Sequence, residues 1–110
     1  MIINLTPHAI SLADQAGEII AAYAPSGEVA RVSTTRKVVG SVDGADIVRT
    51  VFGEVLGLPA SQEGVFLLVS SLVAQAAKEM GRGDIIAPDT GPTAVRENGQ
   101  VVAVRGFQTF

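Results

Sequence analysis

The spacing of apolar and polar positions changes its rhythm once along the chain, near residue 64. Before that point, short runs rich in Ile, Val and Ala are cut at close intervals by Gly, Pro, Asn and Asp, which is the pattern of hairpins and not of helices. Ile2–Leu5, Ala9–Leu12 and Glu18–Ala22 read as short strands, separated at Thr6-Pro7 and at Asp14 to Gly17. Pro25-Ser26-Gly27 reads as a turn before a strand at Val29–Ser33. Val38-Val39 and Ile47–Phe52 flank Asp43-Gly44, a strong turn pair because Gly accepts a positive φ at no steric cost. Gly53–Pro59 reads as a loop or a short strand.

Beyond residue 64 the pattern is different. Val65–Val69 is an unbroken apolar run, the signature of a strand covered on both faces. It leads into Ser70-Ser71, a helix N-cap signal, and then a helix on which Leu72, Val73, Ala76, Ala77 and Met80 share one stripe. Lys78 and Gly81 supply the stop. A strand at Ile85–Ala87 follows, then the turn-rich Pro88-Asp89-Thr90-Gly91-Pro92, then a hairpin of Ala94–Arg96 and Val101–Arg105 closed by Asn98-Gly99. The expected class is α+β: mostly short strands, forming a small sheet or a partly open barrel, with one α-helix. At 110 residues the default is a single domain spanning 1–110.

Composition adds constraints. Apolar residues make up 47% of the chain without counting its 12 glycines, and mean hydropathy is positive. A small domain cannot bury that much apolar surface alone, so a homo-oligomer is expected. The formal charge of −3 and the lack of any basic cluster speak against duplex nucleic acid as a partner. No cysteine is present, which fits a reducing compartment, and the first residues lack the basic and apolar regions of a signal peptide. The longest uncharged apolar stretch, Gly64 to Ala77, is too short for the roughly 20 residues of a spanning helix, so no membrane association and a cytoplasmic location are expected.

The candidate chemistry is thin. The nucleotide-loop, hydrolase and zinc-protease motifs are all missing, as is any close carboxylate pair, so no catalytic residue, metal ligand or cofactor is assigned. His8 is the single histidine, without a second His or any Cys to complete a metal site, and is kept only as a ligand-contacting candidate. If the strands flanking the helix are parallel neighbours, their ends bring Ser70, Ser71, Asp89 and Thr90 to one sheet edge, where the helix N-terminus favours an anion. Asp89 has two competing roles: an Asx turn capping Gly91, or recognition of a ligand hydroxyl or base edge. Arg96, close after that loop, is the first phosphate-binding candidate; Arg36, in the polar island Thr34–Lys37, is the second. Arg82-Gly83-Asp84 follows the helix stop directly and reads as a turn.

Asn4-Leu5-Thr6-Pro7-His8, Pro25-Ser26-Gly27 with Ala30-Arg31-Val32, Phe52–Val55 with Gly57-Leu58-Pro59, and Ala87–Pro92 together resemble a group of small phage- and prophage-encoded proteins. That resemblance covers nearly the whole chain and implies a setting, a bacterial host cytoplasm, without implying a reaction. By analogy of setting, the leading expectation is a non-catalytic binder of a small anionic, nucleotide-derived ligand: an anti-defence sponge for a cyclic-nucleotide or ADP-ribose-type signal. The alternatives are a small nucleotide hydrolase using His8 or Asp89, and a phage structural or interaction protein whose apolar surplus packs against itself or a partner.

Overall fold

The chain is described, over residues 1–110, by a computed structural model. Ten strands and one helix follow in the order β1 (Ile2–Asn4), β2 (Ile10–Ala13), β3 (Ile19–Tyr23), β4 (Arg31–Val42), β5 (Ala45–Leu56), β6 (Phe66–Leu68), α1 (Ser71–Lys78), β7 (Ile85–Pro88), β8 (Val95–Glu97), β9 (Gln100–Ala103) and β10 (Phe107–Gln108). The class is α+β: strands in small open sheets and one short helix, with no closed barrel.

The central sheet has the order β1-β6-β7-β10. β6 lies parallel to both β1 and β7, while β10 returns antiparallel on β7. The apolar run therefore becomes the inner strand, with Leu67 and Leu68 both buried. Ser70 caps α1, its hydroxyl accepting from the Val73 N–H at 3.4 Å, and the helix crosses over to start β7. Val73, Ala74 and Ala77 press onto Leu5, Leu67, Val69, Ile85 and Ala87 to form the core, and Ala76 is buried beside them. The small alanines let the helix sit close to the sheet. The expected helix stripe needs correcting at both ends: Leu72 is 50% and Met80 54% exposed, because the eight-residue helix lies on this sheet through Val73, Ala74 and Ala77 and ends at Lys78, before Met80, while Ala76 is buried toward the root of the arm.

The longest elements differ most from the sequence expectation. The strands expected at Val29–Ser33 and Val38-Val39 are parts of one strand, β4, running unbroken from Arg31 to Val42. Its partner β5 continues through Gly53 as far as Leu56, into the segment expected as a loop or a short strand. Together they form a two-stranded antiparallel ribbon closed at Asp43-Gly44, both at positive φ (50° and 78°), as a tight twist-matched turn requires. At about 3.3 Å per residue, twelve residues in each strand make an arm about 40 Å long.

Val32 and Val55 anchor the root of this arm against the core. Almost everything from Ser33 to Glu54 is exposed, on both faces. The radius of gyration, 16.1 Å, exceeds the roughly 13 Å of a compact chain of this length, and the molecule extends 49 Å in one direction but 21 Å in another. Only 17 of 110 residues are buried, so much of the apolar content stays in solvent.

The Arg82-Gly83-Asp84 segment is a closed turn. The Arg82 guanidinium donates to both Asp84 carboxylate oxygens, at 2.9 and 2.8 Å, and to the Pro59 carbonyl at 2.9 Å. These hydrogen bonds hold the Asp84 carboxyl below its ordinary range and raise Arg82 in turn. Because the folded-state value for Asp84 lies below the unfolded one, the pair stabilises the fold fully above the ordinary carboxylate range and loses its effect as pH falls through about 4 and lower. Asp84→Asn should lower stability at neutral pH by about 1 kcal/mol, as a half-buried bidentate pair warrants. In urea titrations the gap between variant and wild type should close at acid pH.

Candidate functional site

The parallel β6-α1-β7 unit does bring the expected groups to one edge. The Val69 N–H donates to the Ile86 carbonyl at 2.9 Å, so Ser70 leaves the sheet at the same end as Pro88 and the Asp89 loop. Leu5 donates to Leu68 in the same way, which places the Thr6-Pro7-His8 turn at that end too. Ser70, Ser71, Thr90, His8 and Arg96 are exposed there and Asp89 is half-buried. Arg36 is not part of this edge; it lies midway along the arm, paired with Thr50.

Three of the polar side chains at the edge, Ser70, Asp89 and Arg96, are occupied by the chain itself. Asp89 makes the Asx turn: its Oδ1 accepts from the Gly91 N–H at 3.0 Å, and its Oδ2 accepts from the Thr93 hydroxyl at 3.5 Å. Arg96 reaches back over the loop and donates to the Thr90 carbonyl at 2.7 Å and the Gly91 carbonyl at 3.1 Å. Arg105 performs a similar function further on, donating to Thr93 and Asp14 carbonyls. These hydrogen bonds hold the loop's shape without a ligand.

Asn4 and Thr6, the two buried polar residues, form a second such knot. The Asn4 amide donates to the carbonyls of His8 and Tyr23 at 2.8 and 2.9 Å, and its Oδ1 accepts from the Thr6 N–H at 2.9 Å. The Thr6 hydroxyl lies 2.7 Å from Asn4 Oδ1 and 2.9 Å from the His8 carbonyl. Asn4-Leu5-Thr6-Pro7-His8 is thus a turn that ties the end of β1 to the end of β3, and His8 enters it through its backbone. Asn4 was not among the sequence candidates, although an Asn ahead of Thr-Pro is a known turn former whose side chain bonds the backbone.

Two concavities are relevant to binding. One, about 130 Å³, is bounded by Ala9, Ile10, Ser11, Pro88, Thr90 and Val101 to Val104; it is mostly apolar and takes only Thr90 from the sequence candidates. A second, about 310 Å³, opens between the root of the arm and α1, lined by Phe52 to Val55, Ala76, Glu79 and Met80. No buried side-chain polar atom lacks a hydrogen-bond partner. Neither cavity therefore holds a desolvated polar group aimed at a missing one, which is the arrangement that catalysis and tight small-molecule recognition use. No helix is long and apolar enough to cross a membrane. No family model, curated protein or solved structure matches this chain.

Removing the knots should cost stability. Asn4→Ala leaves the buried Thr6 N–H without its acceptor and the part-buried Tyr23 carbonyl without its donor, and is expected to lower unfolding free energy by about 2 kcal/mol in urea melts. Asp89→Ala and Arg96→Ala, at more exposed positions, should each cost about 1 kcal/mol and couple in a double-mutant cycle through the loop they share. Full retention of stability in Asp89→Ala would give the carboxylate back to a ligand.

Proposed function

We propose that the chain is a non-catalytic interaction protein whose working surface is the β4–β5 arm. The supporting observation is the arm itself: a ribbon about 40 Å long, solvated on both faces, with Val38, Val39, Val42, Ile47, Val48 and Val51 all among the exposed large apolar residues. An apolar surface of this extent on a small domain ordinarily marks a protein contact. A two-stranded ribbon without cover is also marginal in water, so a partner that buries it supplies stability as well as contact. In the phage setting that the motifs resemble, this is the assembly or interaction reading.

A second reading, sequestration of a small anion such as a nucleotide-derived signal, has one observation in its favour. β6 and β7 are parallel, so the α1 N-terminus and the Asp89-Thr90 loop share an edge. Against it, Asp89 and Arg96 already bond the loop they stand on.

One comparison tests both. A variant in which residues 35–51 are replaced by Asn-Gly joins Thr34 to Phe52, which are cross-strand partners, and removes the outer arm while leaving Val32 and Val55 in place. It should melt within about 5 °C of the full chain, since the core is untouched. Incubation of the full chain with cyclic and ADP-ribose-type nucleotides should give neither a thermal shift nor a changed nucleotide on release. A shift with intact nucleotide would favour sequestration, and an altered nucleotide a hydrolase.

A further inference from the structure

We propose that the arm's partner is the arm of a second copy, packed antiparallel across a two-fold axis through the Val38–Val48 pair; this rests on the arm being the working surface. Directly paired residues of an antiparallel ladder share a face, and every second residue of a strand returns to it. One face therefore carries Phe52, Thr50, Val48 and Asp46 from β5, with their partners Thr34, Arg36, Val38 and Ser41 from β4. The ladder irregularity between Val38 and Gly40 adds Val39 beside this apolar centre. Along that face the order is acid at Asp46, valines at Val38 and Val48, and base at Arg36.

That order is self-complementary. Asp46 and Arg36 stand at equal steps, about 7 Å each, on either side of the Val38–Val48 pair. A two-fold axis lying between the two faces along the Val38–Val48 row puts Val38 on Val38 and Val48 on Val48, and brings each Asp46 to the Arg36–Thr50 row of the other copy, over Thr50 and diagonally across from Arg36, as a closed isologous contact requires. Both charges are free for this. The chain's one ion pair is Arg82 with Asp84, so neither Asp46 nor Arg36 has a partner within the molecule.

The opposite face, which carries Val51, Ile47 and Val42, fits a copy of itself less well because of its charges. There Lys37 and Arg49 stand directly across from one another, two like charges with no acid on the ladder pairs beside them. Such a pair is best left in water. The register is limited from both directions. Drawing the copies further together carries the tip toward the root, where α1 flanks Phe52 and Gly53 with Lys78, Glu79 and Met80 and leaves no open face to cover, and drawing them apart takes Asp46 away from Arg36.

The test is sedimentation and native mass spectrometry of the full chain and five variants at concentrations up to about 100 µM, a range that detects micromolar affinity. The expected result is a species of twice the 11.3 kDa chain mass. Val48→Asp should be monomeric and folded, melting where the full chain melts once diluted until it is monomeric, since Val48 is 39% exposed and outside the core. Asp46→Arg should weaken the dimer at least about tenfold, and Asp46→Arg with Arg36→Asp should restore it. Arg49→Asp, on the opposite face, should leave it intact.

A full chain that stays monomeric overturns the self-partner while the arm can still serve another protein. A dimer lost on trimming residues 35–51 but indifferent to Val48→Asp and Asp46→Arg overturns this face and keeps the arm. A dimer that survives trimming overturns both.

Discussion

Parallel strands cannot be joined by a tight turn, and this constraint organises the molecule. β1, β6 and β7 run the same way side by side, so each step between them needs a crossover. From β6 to β7 the crossover is α1, whose Val73, Ala74 and Ala77 close the core. From β1 to β6 it is everything between Leu5 and Val65, two hairpins in sequence, of which the second projects as the arm. The arm is thus an insertion in a crossover, fastened where Val32 and Val55 meet the core and free beyond that.

With so little buried, the loops are held by polar staples in place of apolar packing. Asn4 fastens the first turn, Asp89 and Arg96 the loop after β7, Arg105 the path from Asp14 to Thr93, and Arg82 with Asp84 the exit from α1. Each staple spends a chemically capable side chain on backbone or on a near neighbour. Of the residues that look most like a binding set in the sequence, Ser70, Asp89 and Arg96 are accounted for by folding. The largest surface with few internal partners is the outer half of the arm.

The parts legible in the sequence are those where a local signal and the tertiary environment agree. Ser70 caps α1 because a side-chain oxygen there meets the Val73 N–H, and Asp43-Gly44 and Asn98-Gly99 turn because both residues of each pair take positive φ. The Val65–Val69 run was readable as an inner strand since burial on both faces removes alternation, and the edge shared by Ser70 and the Asp89 loop followed from it. The length of β4 was hidden by Thr34 to Lys37: a ribbon wet on both faces has no apolar-in, polar-out pattern, and only its pairing with Thr50 to Phe52 makes that polar stretch a strand. Leu72 and Met80 looked like core because periodicity gives a stripe but not its bounds, and the sheet beneath α1 is narrow. Arg96 could not be assigned from spacing, since its acceptors are carbonyls that converge only when the loop has folded. β10, two residues long, offers no period at all.

The arm's composition answers a problem that any exposed ribbon faces. Two unpaired strand edges and exposed valines invite indiscriminate pairing, and proteins counter this with bulges and charges. Here the ladder is irregular near Val32–Thr34 and near Val38–Gly40, and at the first of these the Ser33 hydroxyl occupies the space a Cβ on Gly53 would take. Arg36, Lys37, Arg49, Asp43 and Asp46 interrupt the apolar positions between. Charges of one sign throughout would block every contact, including with a copy. Placed as they are, acid toward the tip and base toward the root, they oppose a parallel stack, which sets like against like, and admit an antiparallel one, which sets Asp46 against Arg36. In the proposed two-fold contact, the charges that interrupt the ribbon's apolar rows also select its orientation.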